Sequence, residues 1–196
     1  MTACLDLPPD APYHSPQRVL QAFLASHARW ALFRKEHLVR LRLANTAGFC
    51  MGVQRAMNIL LDAVNRKNGP VYTFGPLIHN PQVIETLSRK NVRIISDVSQ
   101  AASGTVLVRA HGVPPDTRAK MEGAGLEICD ATCPIVTRAQ LLAKSHAAAG
   151  DAVIIVGEAA HPEVVALRGF AGERGVVVRS PDEVDKLPPY EKVCLI

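Results

Sequence analysis

Two cysteines of this sequence stand in the same local pattern. The pattern C-x-x-V-x-R-A begins at Cys50 and begins again 83 residues later at Cys133. A thiolate is a soft metal ligand and a nucleophile, whereas most unpaired cysteines are small buried apolar residues. Taken alone, either cysteine fits the second description. The repetition of the surrounding pattern favours a site that uses both thiols.

Histidines repeat at nearly the same interval. A glycine followed four residues later by a histidine occurs at Gly75 and His79, and again 82 residues on at Gly157 and His161. Two separate landmarks that share one period indicate an internal duplication of the chain. The sequence therefore predicts two related structural units.

Two further side chains complete the set that could do chemistry. His111 lies in an A-H-G-V segment, and Glu163 follows His161 by two residues. Each histidine by itself is more often a solvated or core residue, and Glu163 by itself suits the first turn of a helix. Together the set offers thiolate ligands, imidazoles that can hold phosphate oxygens, and a carboxylic acid for proton transfer.

The elements that must position these residues alternate between strand and helix patterns. Period-two and period-3.6 patterns predict strands at 39–44, 71–74, 92–95, 105–109, 126–129, 152–156, 175–179 and 193–196, and helices at 52–66, about 80–90, 115–123, 134–149, from 162 and from 181. This order predicts an α/β fold with parallel sheets and right-handed crossovers. Cys50 would then lie between a strand and a helix amino terminus, where backbone N–H groups favour a thiolate. The reactive junctions should face one sheet edge.

Length and composition limit the class of protein. The chain has 196 residues, 48% of them hydrophobic, which is enough for one large or two small domains. Its net charge of +4 comes from 22 basic and 18 acidic residues mixed along the sequence, which does not resemble a nucleic-acid binder but suits a small anionic ligand. We find neither a membrane-spanning run nor a signal peptide, and five cysteines argue against a disulfide framework. These features predict a cytoplasmic protein.

The repeat also suggests domain boundaries. Residues 1–38, broken by prolines at the start, form an N-terminal appendage. Residues 39–133 form a first α/β unit with Cys50, and residues 134–196 form an incomplete second unit with Cys133 at its start. A third copy of the unit would place a cysteine near position 216, within roughly 210 to 240 because loop lengths vary. We therefore expect a longer, three-unit protein.

These residues resemble a known family, the 4-hydroxy-3-methylbut-2-enyl diphosphate reductases of the LytB type. The resemblance covers roughly residues 39–196 through the segments 47–53, 79–81, 110–113, 130–134 and 161–164. It implies three similar α/β domains in a trefoil-like arrangement around a [4Fe-4S] cluster on three cysteines. It also implies reduction of the allylic diphosphate to isopentenyl and dimethylallyl diphosphate in the non-mevalonate isoprenoid pathway, with an electron donor such as ferredoxin or flavodoxin.

The same resemblance assigns roles to individual residues. It implies that Cys50 and Cys133 bind the cluster. It implies that His79, His111 and His161 bind the diphosphate, and that Glu163 delivers a proton. Removing an allylic hydroxyl reductively needs single electrons, a Lewis acid and a proton source, which is the chemistry that this set with a cluster would supply.

Some features depart from the family pattern. Ala166 stands where family members usually carry a glycine, and the third cysteine has no match in this sequence. Cys129 and Cys194 are nearby, but both fall in predicted strands and neither is favoured as a ligand. An alternative hypothesis is a truncated non-catalytic fragment or a module that binds zinc or a labile cluster. A thiol-redox protein is less favoured, because the chain has no C-x-x-C motif.

Overall fold

The computed structural model describes residues 42, 44, 47–66 and 69–196. The chain divides into two compact units, Met1–Phe49 and Cys50–Ile196, and every helix and strand reported below belongs to the second. The predicted appendage 1–38 lies outside the described residues, as does most of the predicted strand 39–44. Arg42 and Ala44 of that segment are exposed and belong to no helix or strand.

Six α-helices and seven strands are present within the described part of Cys50–Ile196. The helices are α1 (Met51–Arg66), α2 (Pro81–Arg89), α3 (Pro115–Gly123), α4 (Pro134–Ala148), α5 (Pro162–Ala171) and α6 (Pro181–Val184). The strands are β1 (Val71–Phe74), β2 (Val92–Ile95), β3 (Thr105–Val108), β4 (Glu127–Asp130), β5 (Ala152–Val156), β6 (Gly175–Val178) and β7 (Val193–Leu195). Over the described ranges, no helix has the length and apolar character needed to cross a bilayer.

The strands form two sheets, and all described pairings are parallel. The first sheet has the order β2-β1-β3-β4, and the second has the order β6-β5-β7. The predicted α/β fold with parallel sheets is therefore confirmed. In both sheets the strand order requires crossover connections. Most of these contain an α-helix, but the one from β2 to β3 contains only the short 3-10 helix Val98–Gln100.

Each sheet has its own hydrophobic core. In the first, all four residues of β3 are buried, and Val106 and Val108 pack with Met121 of α3, which is completely inaccessible to solvent. In the second, Val153 and Ile155 of β5 pack against α4 and α5. Burial of β3 on both faces explains its continuous apolar sequence.

Proline sets the start of most helices. Helices α2 to α6 each begin with a proline at the first helical position, where its missing N–H costs nothing. Asn80 adds a side-chain cap to α2, because its Oδ1 accepts a hydrogen bond from the Val83 N–H at 3.1 Å. These local signals place the loops that carry the reactive residues immediately before helix amino termini.

The internal duplication is visible in the backbone hydrogen bonds. Gly75 follows β1 and donates its N–H to the carbonyl of Ile95, the last residue of β2, at 2.7 Å. Gly157 follows β5 and donates its N–H to the carbonyl of Val178, the last residue of β6, at 2.9 Å. In this comparison β7 occupies the place in the second sheet that β3 has in the first, since each pairs with the strand beside the equivalent glycine.

Candidate functional site

The two repeated cysteines lie at equivalent points before two helices. Cys50 directly precedes α1, and its carbonyl accepts a hydrogen bond from the Gln54 N–H at 2.9 Å. Cys133 is the N-cap residue of α4, and its carbonyl accepts from the Thr137 N–H at 2.8 Å. The Cys50 side chain is exposed, and that of Cys133 is half-buried. The repeated sequence pattern thus encodes a repeated local structure.

The two cysteine-bearing helix ends touch one another. A Cβ atom placed on Gly52, two residues after Cys50, would lie only 2.8 Å from the Cys133 sulfur. The sulfur therefore packs directly on the backbone of the first turn of α1. In addition, the Arg55 guanidinium donates a hydrogen bond to the carbonyl of Thr132 at 3.1 Å. Both contacts hold the loop before Cys133 against α1.

An aspartate shapes the loop that delivers Cys133. Asp130 Oδ1 accepts hydrogen bonds from the N–H and the hydroxyl of Thr132 at 2.9 and 2.6 Å, and its Oδ2 is 2.6 Å from the Arg118 guanidinium. Partial burial acts to raise the pKa of Asp130, but these hydrogen bonds and the Arg118 charge outweigh it and lower the pKa. Cys133 itself donates its N–H to the carbonyl of Ala110 at 2.9 Å, which connects it to the loop of His111.

Three histidines from three loops form a cluster, called here the histidine cluster. The ring centroids of His79 and His111 are 6.5 Å apart, and those of His111 and His161 are 5.4 Å apart in an edge-to-face arrangement. His79 and His111 follow strands of the first sheet, and His161 follows a strand of the second. The prediction that all reactive junctions face one sheet edge is therefore wrong, because the cluster draws on the edges of two sheets. At the start of α5, His161 Nδ1 accepts a hydrogen bond from the Glu163 N–H at 3.3 Å.

Burial and neighbouring charge suppress protonation of the central histidine. Burial lowers the pKa of His111 to about 4, with further contributions from the positive charge of Arg109 and from electrostatic interactions with His161 and His79. The Nδ1 atom of His111 is buried and has no hydrogen-bond partner among the described residues. At neutral pH the ring is therefore uncharged, with hydrogen-bonding capacity unused.

Arg109 brings a guanidinium close to the same loop. Burial lowers its pKa, and its Nε is also buried without a partner in the described ranges. The guanidinium lies over the backbone of Gly75, whose φ is +73° and where a Cβ would come within 2.6 Å of Nη1. Only glycine combines this conformation with so close a contact. The region is thus positive and supplied with donors, which suits an anion.

The described residues supply two thiols on contacting helix ends but no complete metal site. Within 47–66 and 69–196, together with 42 and 44, no group of three His, Cys, Asp or Glu side chains is placed to hold a metal ion. Cys129 in β4 and Cys194 in β7 are half-buried and do not form such a group with Cys50 and Cys133. Two thiols on helix amino termini that contact one another fit two of the positions of an iron–sulfur cluster.

Several site residues were not predicted from the sequence. Arg109 contacts Gly75, Arg118 pairs with Asp130, and Gln140 binds His111, and no local pattern marks these contacts. Gln140 had one available signal, since it occupies the buried face of α4 with Val136 and Ala143, where an apolar residue is expected.

The chain is similar to proteins of known name over most of its length. The family model described as LytB protein matches residues 41–196. A relative from Pelobacter propionicus named 4-hydroxy-3-methylbut-2-enyl diphosphate reductase is 41% identical over 158 residues, which cover 81% of this chain and 56% of the relative. A relative of the same name from Nitratidesulfovibrio vulgaris is 43% identical over 152 residues, covering 77% and 54%. The chain spans about half the length of these curated relatives.

Solved structures give the same result. The E-1-hydroxy-2-methyl-but-2-enyl-4-diphosphate reductase from Plasmodium falciparum matches with a TM-score of 0.74 and 27% identity, covering 78% of this chain and 49% of that one. A structure described as (E)-4-hydroxy-3-methyl-but-2-enyl diphosphate reductase, the terminal enzyme of the non-mevalonate pathway, matches with a TM-score of 0.70 and 33% identity, covering 81% and 57%.

Proposed function

We propose a function for this chain from the premise that it belongs to the LytB protein family. The proposed activity is the reductive dehydroxylation of 4-hydroxy-3-methylbut-2-enyl diphosphate to isopentenyl and dimethylallyl diphosphate, in the isoprenoid pathway that the relatives' names indicate. The observation that carries the proposal is the convergence of His79, His111 and His161 on a loop whose Ala110 carbonyl is bound by Cys133. It brings together an anion-binding region and a thiol site.

The thiols of Cys50 and Cys133 would hold a [4Fe-4S] cluster. Its third protein ligand would be a residue other than those described here. Thiolates are the ligands that iron–sulfur clusters prefer, and the contact between Gly52 and the Cys133 sulfur keeps the two cysteine-bearing turns together. When bound, the cluster would supply single electrons and a Lewis-acidic iron. A small redox protein such as ferredoxin or flavodoxin would provide the electrons.

The histidine cluster would bind the diphosphate. Phosphate oxygens accept hydrogen bonds, and the buried nitrogens of Arg109 and His111 have no partners in the described part of the chain. A diphosphate would supply acceptors for the N–H groups of this region. A positively charged arginine beside three imidazoles also lowers the electrostatic free energy of a bound anion.

Glu163 would deliver the proton that leaves with the hydroxyl group as water. Its backbone N–H is bound by His161 Nδ1, so the carboxyl-bearing residue and a proposed diphosphate ligand share one helical turn. This arrangement would hold the backbone of Glu163 close to the bound substrate. Positioned carboxyl groups of this kind typically accelerate proton transfer.

A second candidate is a non-catalytic metal-binding fragment or module. The observation that favours it is the pair of thiols at Cys50 and Cys133, without a third ligand grouped with them in the described ranges. Such a pair would hold zinc or a labile cluster. The three-domain arrangement, the domain boundaries and the cytoplasmic location inferred from the sequence stay predictions.

Anaerobic reconstitution with iron and sulfide distinguishes binding of an iron–sulfur cluster from binding of zinc. We expect the chain to become brown with sulfur-to-iron charge-transfer bands, and Cys50→Ser and Cys133→Ser to lose iron because a hydroxyl is a poor substitute for a thiolate. Cys194→Ser, which removes a half-buried strand cysteine outside the pair, is the matched control and should retain iron. A colourless, zinc-loaded chain would support the module, and unchanged iron in Cys50→Ser would contradict the assignment.

A further inference from the structure

A buried glutamine on α4 contacts the loop of the central histidine. Gln140 is only 4% exposed, and its side-chain Nε2 donates a hydrogen bond to the backbone carbonyl of His111 at 3.3 Å. Burying an amide in place of an apolar side chain costs free energy unless the amide is hydrogen-bonded. A polar residue at this position therefore calls for a reason beyond helix packing, and the contact with His111 provides one.

The loop is shaped to receive this amide. Gly112 has a φ of +72°, and its N–H donates to the carbonyl of Arg109 at 2.9 Å, which closes a tight turn around His111. A Cβ on Gly112 would collide with Gln140 Nε2 and would lie 3.2 Å from the Thr132 side chain. The absence of a side chain at Gly112 thus leaves the space that Gln140 occupies.

One helix holds two consecutive carbonyl groups of this turn. Cys133, at the amino terminus of α4, donates its N–H to the carbonyl of Ala110 at 2.9 Å. Gln140, about two turns further along α4, binds the next carbonyl, that of His111. Fixing two successive peptide groups restricts the backbone dihedral angles between them and hence the direction of the His111 side chain.

We propose that Gln140 is a positioning residue for His111, holding its imidazole in the orientation that the histidine cluster needs to bind an anionic diphosphate. This inference rests on the proposed function. His111 is the ring in contact with both His79 and His161, so its orientation determines whether the three rings can bind the same anion. Gln140 itself does not touch the anion. Through α4 it also couples the diphosphate region to the turn of Cys133.

Calorimetric titration of the 196-residue chain with inorganic diphosphate tests the proposal. We expect Gln140→Ala and Gln140→Met to bind diphosphate about three- to tenfold more weakly, the range that one hydrogen bond supports. Methionine keeps most of the side-chain volume, so it separates loss of the hydrogen bond from loss of packing. Leu141→Ala, at an adjacent position that is 58% exposed, is the matched control and should bind like the parent chain. Thermal melts confirm that each variant is folded.

A double-mutant cycle shows whether Gln140 acts through His111. In a His111→Ala background, Gln140→Met should have no further effect on diphosphate binding, because the group that it positions is gone. Where His111→Ala binds diphosphate more weakly than the parent chain, equal binding by the parent chain and the folded Gln140→Met and Gln140→Ala variants would overturn the proposal. An undiminished effect of Gln140→Met in the His111→Ala background would also overturn it.

A second readout separates this inference from the proposed function. If His111→Ala binds diphosphate as the parent chain does, or if neither binds, the diphosphate site is wrong, and NMR titration of the His111 ring then decides the positioning role. We expect Gln140→Met to raise the pKa of His111 from about 4 toward its usual value of 6.5, because a released ring gains solvent. An unchanged His111 titration in that variant would refute the positioning role.

Discussion

The protonation of His111 couples the site to the stability of the fold. Its pKa in the folded chain is about 4, against 6.5 for an unperturbed histidine, because burial and neighbouring positive charges disfavour the imidazolium. Between those two values the unfolded state binds more protons than the folded state. The stability that depends on a neutral ring is therefore complete above about pH 6.5 and is lost as the pH falls toward 4.

We predict that His111→Asn weakens this pH dependence. Asparagine keeps a polar side chain of moderate size but does not titrate. The free energy of unfolding of His111→Asn should therefore fall less between pH 6.5 and pH 4 than that of the parent chain. Urea denaturation at several pH values in this range measures the difference. His146→Asn, which removes a histidine paired with Asp151 at the far end of α4, controls for the loss of any histidine. Parallel pH curves for the parent and His111→Asn would contradict the prediction.

Glu163 allows a separate test of proton delivery. In a form of the protein that shows reductase activity, Glu163→Gln should lower the turnover number by roughly a hundredfold to ten-thousandfold, with little effect on the Michaelis constant. The amide keeps the shape of the side chain, and the backbone hydrogen bond to His161 does not depend on the carboxyl group. An unaltered turnover number with a raised Michaelis constant would show that Glu163 only binds substrate.

At the scale of the elements, the first turn of α1 contacts the N-cap of α4, so the two cysteine-bearing helix ends meet. Gly52 lies inside α1, where alanine would usually be favoured by about 1 kcal/mol. A Cβ there would come within 2.8 Å of the Cys133 sulfur and 3.1 Å of its Cβ. We therefore expect Gly52→Ala to separate the two helix ends and to lower the iron retained after reconstitution.

The matched control for this change is Gly123→Ala. Gly123 is the last residue of α3, and a Cβ there would meet nothing within 4 Å. This variant should be as stable as the parent chain or slightly more stable, with an unchanged iron content measured by colorimetric assay. Full iron retention in Gly52→Ala would mean that the contact does not position Cys133.

Local sequence signals were sufficient for the elements that they control. Prolines at positions such as 81, 134 and 162 marked helix starts, and β-branched runs marked β1, β3 and β5 with errors of at most one residue. The convergence of His79 and His161 with His111 was expected because each follows a strand, and the first two also hold equivalent places in the repeat. By contrast, the contact of Gly52 with Cys133 and that of Gln140 with His111 depend on how elements distant in sequence pack together, which no local pattern predicts.

At the scale of the whole molecule, the duplication distributes one site over both sheets. The first sheet positions His79 and His111, and the second positions His161 and Glu163. Helix α4 lies between them in sequence, contacts the His111 loop through Cys133 and Gln140, and packs on β5 through Ala143. The histidine cluster therefore depends on both sheets, and a change in how the two sheets pack would alter it directly.

The comparison of β3 with β7 gives a prediction about local stability. These strands hold equivalent places in the repeat, but β3 is paired on both sides, whereas β7 pairs only with β5 among the described residues. The side chains of Val193 and Leu195 in β7 are also 46% and 69% exposed. Because alternate N–H groups of a strand point to opposite sides, about half of those in β7 face away from β5.

Hydrogen exchange of the 196-residue chain, followed by NMR, should therefore show much stronger protection for the amides of β3 than for those of β7. Exchange from β3 should require opening of the whole first sheet, while the outward amides of β7 should exchange through local fluctuations. The amide of Ile196, which donates to the Ile154 carbonyl at 2.9 Å, serves as the internal comparison for an inward-facing N–H. Equal protection of β3 and β7 would show that another segment pairs with the outer edge of β7 and completes the second sheet as β4 completes the first.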